Sequence, residues 1–82
     1  MTYRVEFSLE SAAELSRIAG VVGAVSAIQA ADSIRRRLEV DPVRNGNFLA
    51  EGLYYIDEEP LRAFFFIDAE AAAVEITDFR ML

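Results

Sequence analysis

The side chains that could carry chemistry in this chain of 82 residues are arginines, carboxylates and tyrosines. Cysteine and histidine are absent from the sequence, which excludes thiolate nucleophiles, disulfides, imidazole bases and the commonest zinc ligands. All of the basic residues are arginine, and the fourteen acidic residues against eight basic ones give a net charge of −6. We therefore expect no metal and no cofactor. Nonspecific nucleic-acid binding is disfavoured as well, because phosphate contacts supply most of that affinity.

Three short clusters have the residue types of a site. The run Arg35–Arg37 could bind phosphate, but Asp32 and Glu39 stand at helical spacing from it and favour a solvated helix end. The acids Asp57–Glu59 could hold a cation, although an acidic hairpin turn is far more common. Phe64–Phe66 could stack on bases, but it reads first as a strand with apolar contacts on both faces. None of these clusters defines an active site by itself.

The N-terminal half predicts one strand and a helical hairpin. Thr2–Phe7 alternates between apolar and polar side chains, the period of a strand with one covered face. Ser8 stands where a helix N-cap would, and helical spacing begins at Leu9. We place a turn near Gly20–Gly23, with one long kinked helix as the alternative.

A second helix is predicted from about Ala24 to Leu38. Its apolar stripe would consist of Val25, Ile28, Ala31, Ile34 and Leu38. Pro42 disfavours helical geometry at Asp41, so this helix should stop near Val40. We also expect ion pairs four residues apart, Asp32 with Arg36 and Arg35 with Glu39.

The C-terminal half predicts three strands, Phe48–Ile56, Leu61–Ile67 and Ala72–Phe79, with short acidic turns between them. Asn45-Gly46 more plausibly joins helix to sheet than closes a two-residue hairpin. The order β-α-α-β-β-β indicates an α+β fold. We expect a single domain over residues 1–82, a curved antiparallel sheet with the N-terminal helical hairpin packed on one face.

The alternation in these strands sorts side chains onto two faces. Arg62 is a poor candidate for burial beneath helices without a partner, so its face should be the open one. The core set is then Ala63, Phe65 and Ile67, together with Tyr54, Ile56, Ala72, Val74 and Ile76. The open set is Leu53, Tyr55, Phe64 and Phe66, with a rim of Arg62, Asp57, Glu75 and Arg4. A partner should cover this apolar patch, unless Phe79–Leu82 folds over it or the strand register is shifted by one residue.

The order of elements resembles the RelE/ParE toxin superfamily of bacterial toxin–antitoxin systems. The segments that carry the resemblance are Tyr3–Ser8, which looks like the opening strand; Asp41-Pro42 with Gly46, Leu49 and Gly52–Tyr54, which look like the helix-to-sheet segment; and Leu61–Asp68, which looks like the central hairpin strand. Together they cover nearly the whole chain.

The resemblance implies two kinds of activity. RelE-like members are ribosome-dependent endoribonucleases that cleave mRNA through attack by the ribose 2′-hydroxyl, whereas ParE-like members block DNA gyrase. An antitoxin that wraps the toxin silences both kinds. The catalytic residues it implies here are Arg62, which matches the phosphate-contacting arginine, Arg80 and, as an acid or base, Tyr55. Lysines of the active nucleases would fall at Tyr55 and Asp57, and active members are basic, so nuclease activity should be weak or absent.

Three functions follow as alternatives. The first is a toxin-like component that binds an antitoxin-like partner through its open sheet face and helices. The second is a ribosome-dependent mRNA endoribonuclease, which the acidic net charge disfavours. The third is a noncatalytic homo-oligomer whose second copy covers Phe64 and Phe66. We expect a cytoplasmic protein without a membrane partner, since Met1–Glu6 lacks the apolar core of a signal peptide and the longest uncharged run is shorter than the ~20 residues that span a bilayer.

Overall fold

A computed structural model describes residues 2–82, and these form three helices and five strands. In chain order the elements are β1 (Arg4–Phe7), α1 (Leu9–Val22), α2 (Ala24–Val40), α3 (Pro42–Asn45), β2 (Asn47–Ala50), β3 (Leu53–Glu58), β4 (Leu61–Asp68) and β5 (Ala73–Met81). The predicted α+β class and the order of strand, helical hairpin and meander are confirmed.

The helical hairpin begins and turns where the sequence indicated. Ser8 is the N-cap of α1, and its hydroxyl accepts a hydrogen bond of 3.0 Å from the backbone N–H of Ser11. The two helices meet at Gly23, whose φ of 101° lies in a region that side chains with a Cβ rarely adopt. The predicted turn is therefore confirmed, and one continuous kinked helix is excluded.

Helix α2 ends at Val40, as expected from Pro42, but its predicted apolar stripe is only partly correct. Ala31, Ile34 and Leu38 are buried, whereas Val25 and Ile28 expose 70% and 60% of their surfaces. The buried positions in the first half of α2 are Ala27 and Ala30 instead. The buried face is thus built from small side chains near the interhelical turn, and two larger β-branched residues remain outside.

The sheet has the strand order β1-β5-β4-β3-β2. Strands β2 to β5 pair antiparallel, whereas β1 pairs parallel to β5, so the sheet is mixed. The single strand predicted for Phe48–Ile56 is wrong: Gly52, with a φ of 79°, reverses the chain and makes β2 and β3 a hairpin. The prediction that Ala72 belongs to the last strand is also wrong, because Ala72 lies in the β4–β5 turn with a φ of 49°.

The helical hairpin packs on one face of the sheet around a core that contains Phe65, Ala63 and Ile56. Val74 and Ile76 of β5 join this core, and Ile67 and Tyr54 pack against it as predicted. A β-bulge in β5 then shifts the alternation of its side chains. Phe65 is paired with Ile76, but the adjacent Phe64 is paired with Asp78, so β5 contains one extra residue at this point. This extra residue brings Phe79 into the core with no exposed surface. The C-terminal residues therefore extend the sheet beside β4 and do not fold over its open face.

Candidate functional site

The face of the sheet opposite the helices carries side chains from all five strands. Cross-strand pairing aligns them in four rows. In order along the strands the rows are Arg4, Ala73 and Asp68; Glu6, Glu75, Phe66 and Leu53; Asp78, Phe64, Tyr55 and Asn47; and Arg80, Arg62 and Asp57. We call this surface the open face. The apolar and aromatic side chains of its two middle rows lie on β3 and β4, and charged side chains surround them, at both ends of the face and along β1 and β5.

The apolar part of the open face matches the predicted partner-binding set. Leu53 is paired with Phe66 across β3 and β4, and Tyr55 is paired with Phe64. Phe66 exposes 45% of its surface, and the other three are half-buried. The rings of Tyr55 and Phe64 lie 6.4 Å apart between centroids. The predicted division of β4 into a buried Phe65 and an outward Phe64 and Phe66 is therefore correct.

Arg62 is held in place by two neighbours on the open face. Its Nε and Nη2 donate to the Oδ1 and Oδ2 of Asp57 at 2.7 and 2.9 Å, a bidentate pair across the β3–β4 hairpin. The guanidinium carbon also lies 4.4 Å from the ring centroid of Tyr55, within the range of a cation–π contact. The hydrogen bonds from Arg62 lower the pKa of the Asp57 carboxyl from its ordinary value. Both charges of this pair are thus satisfied inside the chain.

Arg80 has a looser version of the same arrangement. Its Nε lies 3.4 Å from the Oδ2 of Asp78, and its guanidinium carbon is 6.0 Å from the centroid of Phe64. Its side chain remains 71% exposed. Arg80 is the direct cross-strand neighbour of Arg62. The second arginine of the open face is therefore also paired with an acid, but it is less constrained.

A groove beside Arg80 extends the charged end of the open face towards α1. Its volume is about 540 Å³, and it is lined by Glu14, Arg17, Ile18, Asp78, Arg80 and Met81. Arg17 donates two hydrogen bonds to Glu14, and this contact lowers the pKa of the Glu14 carboxyl from its ordinary value. The groove exists because β1 pairs with β5 only as far as Ile76, which leaves the last residues of β5 with a free edge. The groove contains two arginines and two acids and is balanced in charge.

The three residues that the resemblance implied as catalytic lie together in the structure. Arg62 stacks on Tyr55 and is adjacent to Arg80 across β4 and β5. Sequence reasoning missed Asp78, because the bulge before it could not be read from the alternation. It also missed Arg17, whose spacing of three residues from Glu14 signals a helical pair but does not locate it beside β5.

The other charged clusters are engaged within the helical layer. Arg35 bonds to Glu39 and Arg36 pairs with Asp32, as predicted, and Arg35 also bonds to Asp32, which was not predicted. The hydrogen bond from Arg35 lowers the pKa of Asp32. Glu58 accepts a hydrogen bond from Ser33 and lies 3.8 Å from Arg37. These contacts favour the solvated helix end over a phosphate site for the arginine run, and they occupy one acid of the candidate cation cluster.

A second apolar surface lies at the turn of the helical hairpin. Val21, Val25 and Ile28 expose between 60% and 70% of their surfaces. They lie within the stretch from residue 18 to residue 31 that contains no charged residue. Across residues 2–82, no helix is both long enough and apolar enough to cross a membrane. These three residues thus form an apolar surface in addition to that of the open face.

The fold is similar to that of chains from two solved toxin–antitoxin systems. The chain matches, over its full length, a chain in the crystal structure of the toxin–antitoxin complex RelBE2 from Mycobacterium tuberculosis, with a TM-score of 0.85, 19% sequence identity and 93% of that chain covered. It also matches a chain of the chromosomal ParDE TA system from P. aeruginosa, with a TM-score of 0.72, 15% identity, and 99% and 97% of the two chains covered. No family model and no curated protein matches the sequence. The fold that the resemblance implied is confirmed.

Proposed function

We propose that this chain is the toxin-type component of a toxin–antitoxin pair and that it binds an antitoxin-like protein in the cytoplasm. The open face and the hairpin turn would form the binding surface, and mRNA cleavage would be weak or absent. The observation that carries the proposal is the row of exposed Phe66 and half-buried Leu53 on a fold whose solved neighbours come from toxin–antitoxin systems. An apolar patch of this kind commonly marks an interaction site.

The amount of surface that a partner could cover on Phe66 sets the expected energy. A phenylalanine side chain of about 200 Å² that is 45% exposed has about 90 Å² left to bury. At about 25 cal/mol per Å² this corresponds to about 2 kcal/mol, or roughly a thirtyfold change in affinity. One side chain can therefore decide whether a complex survives purification.

The test is co-expression of the tagged chain with the protein encoded in the adjacent reading frame, followed by affinity purification and titration calorimetry. We expect a stable complex that Phe66→Ser weakens about thirtyfold. Phe48→Ser is the matched control, because Phe48 is 66% exposed but belongs to the edge strand and packs on Tyr54 on the helix side. Failure of the neighbouring protein to bind, or equal weakening by both substitutions, would contradict the proposal. A homodimer detected by light scattering and dissociated by Phe64→Asp would favour self-association instead.

The second candidate is RNA cleavage, and the clustering of Arg62, Arg80 and Tyr55 favours it. Such chemistry needs a base for the 2′-hydroxyl proton and cations for the developing phosphate charge. Here both arginines already contact the carboxylates of Asp57 and Asp78. Growth arrest on expression that Arg62→Ala abolishes would support cleavage, and the absence of arrest would contradict it.

A further inference from the structure

Nearly all arginines of the described chain are paired with acids, whereas half of the acids have no arginine partner. In the described chain, seven of the eight arginines form ion pairs with acids, and Arg44 is the exception. These pairs engage seven of the fourteen acids. The acids without an arginine partner are Glu10, Asp41, Glu51, Glu59, Asp68, Glu70 and Glu75. The surplus negative charge is therefore available for contact with other molecules.

One of these acids lies directly beside the apolar row of the open face. Glu75 is the cross-strand neighbour of Phe66 on one side and of Glu6 on the other. Arg4 lies 3.3 Å from the carboxylate of Glu6, which leaves Glu75 without an arginine. Like charges directly opposite each other destabilise a strand pair. Because Glu75 is exposed, a cation from another molecule could relieve this repulsion.

A pocket of about 300 Å³ lies at the same place. Its apolar lining includes Phe66, Ile67 and Val74, and its charges come from Arg4, Glu6, Asp68 and Glu75. Three carboxylates against one guanidinium leave the pocket negative. It has room for the end of a long side chain whose stem contacts Phe66 and whose charged tip contacts Glu75, as lysine and arginine stems do on apolar surfaces.

The opposite end of the open face disfavours an acidic occupant. Asp57 already accepts the two hydrogen bonds that Arg62 could otherwise donate to an incoming carboxylate or phosphate. An anion would have to displace Asp57 and would meet a chain of net charge −6. A second copy of the chain would bring the same negative charge.

We infer that the partner of the open face presents a basic amphipathic protein segment, with apolar side chains on Phe66 and Leu53 and a lysine or arginine on Glu75. The inference rests on the proposed function and adds the charge of the partner to it. The chain is then the acidic side of the interface. The charge and the apolar row both contribute, so neither alone should account for the affinity.

The test uses two synthetic peptides of equal length as probes, one alternating leucine with lysine and one alternating leucine with glutamate. Fluorescence anisotropy would compare their binding to the full chain and to two variants, Glu75→Gln and Glu10→Gln. These substitutions remove the same charge, but Glu10 lies in the first turn of α1, away from the open face. We expect the lysine peptide to bind, Glu75→Gln to weaken it about twofold to fivefold, and Glu10→Gln to change it less. Phe66→Ser should weaken it further, whereas Phe48→Ser should not.

Stronger binding of the glutamate peptide, or equal effects of the two charge substitutions, would overturn the inference. Thermal unfolding of the free chain gives a second readout, in which the two charge substitutions should have opposite effects. Glu75→Gln should raise the thermal midpoint because it removes a like-charge contact, and Glu10→Gln should lower it because an acid is favourable at a helix N-terminus.

If the neighbouring protein binds but Glu75 has no role, the proposed function stands and the inference about charge fails. If the lysine peptide binds through Glu75 and Phe66 but the neighbouring protein does not bind, the charge assignment stands and the proposed pairing fails.

Discussion

Asp57→Asn is the substitution that most directly tests why the arginines of the open face should be inactive towards RNA. Two nitrogens of Arg62 donate hydrogen bonds to the two carboxylate oxygens of Asp57, and a guanidinium binds a phosphate with the same bidentate geometry. To bind an RNA phosphate, Arg62 must first leave this carboxylate. Asparagine keeps the size of the side chain and removes its charge. We therefore expect the substitution to release Arg62 for an external anion.

The expected size of the effect follows from how exposed the pair is. The side chains of Arg62 and Asp57 are 37% and 39% exposed, so solvent screens much of their attraction. Pairs of this kind change an equilibrium constant by about twofold to fivefold. Removing a negative charge from the face also reduces repulsion of RNA. Fluorescence anisotropy with a short single-stranded RNA at low salt should show affinity rising about fivefold, and added salt should diminish the gain.

Two further variants make the result interpretable. Glu59→Gln removes the same charge two residues away, but Glu59 is exposed in the β3–β4 turn and has no arginine partner among the ion pairs of residues 2–82. It should give a smaller gain than Asp57→Asn. Adding Arg62→Gln to Asp57→Asn should remove the gain. An equal gain from both charge removals, or a gain that persists without Arg62, would refute the idea that Asp57 blocks this arginine.

The same pair predicts a specific dependence of stability on pH. Because Arg62 lowers the pKa of Asp57 in the folded chain, the pair stabilises the fold above the unfolded-state pKa of about 3.9. This contribution should disappear as the pH falls through the lower, folded-state pKa. Urea unfolding at a series of pH values should show the wild type and Asp57→Asn differing most near neutrality and converging in acid. A difference that grows as the pH falls would contradict the sign.

Five substitutions at four positions test the packing of the sheet and the cap of α1. Phe65→Ala should lower the free energy of unfolding by about 3–5 kcal/mol because Phe65 is fully buried, whereas Phe66→Ala should cost less, about 1–2 kcal/mol, because Phe66 is 45% exposed; similar losses in urea unfolding would mean that the faces of β4 are misassigned. Gly46→Ala should cost about 1–3 kcal/mol, because its Cβ would lie 2.6 Å from the ring of Phe65 and 2.8 Å from the carbonyl oxygen of Pro42; an unchanged thermal midpoint would show that this contact relaxes freely. Ser8→Ala should cost about 1 kcal/mol through the lost helix cap, whereas Ser8→Asp should retain most of the stability.

The sequence was most informative where local chemistry and the global fold agree. The N-cap at Ser8, the break near Gly20–Gly23 and the stop before Pro42 each follow from a local backbone preference, and the structure confirms all three, with the break at Gly23. The faces of β4 could be assigned because burying Arg62 beneath the helices would be costly. In each of these cases a short segment contains all the information that decides the outcome.

The missed features depend on contacts between distant segments. In the first half of α2, Ala27 and Ala30 are buried, whereas Val25 and Ile28 are exposed. The local sequence favours the opposite assignment, because larger apolar residues are ordinarily the ones buried. The bulge near Thr77 is visible only once β4 is aligned against β5, and it moves Asp78 onto the open face and Phe79 into the core. The parallel pairing of β1 joins residues about seventy positions apart. The candidate site was therefore predictable in its aromatic part and only partly predictable in its charged part.

The ion pairs and the exposed aromatic row have different consequences for catalysis and for binding. A nuclease needs cations that are free to stabilise charge developing on a phosphate, and each pairing of Arg62 or Arg80 with an acid reduces that capacity. A protein interface can cover the same pairs at a lower cost than unpaired charges, because each charge keeps its partner when water is removed. The apolar row gains free energy only when another surface covers it. The open face therefore combines features that weaken phosphate chemistry with features that favour a protein partner, which is why we place partner binding ahead of RNA cleavage.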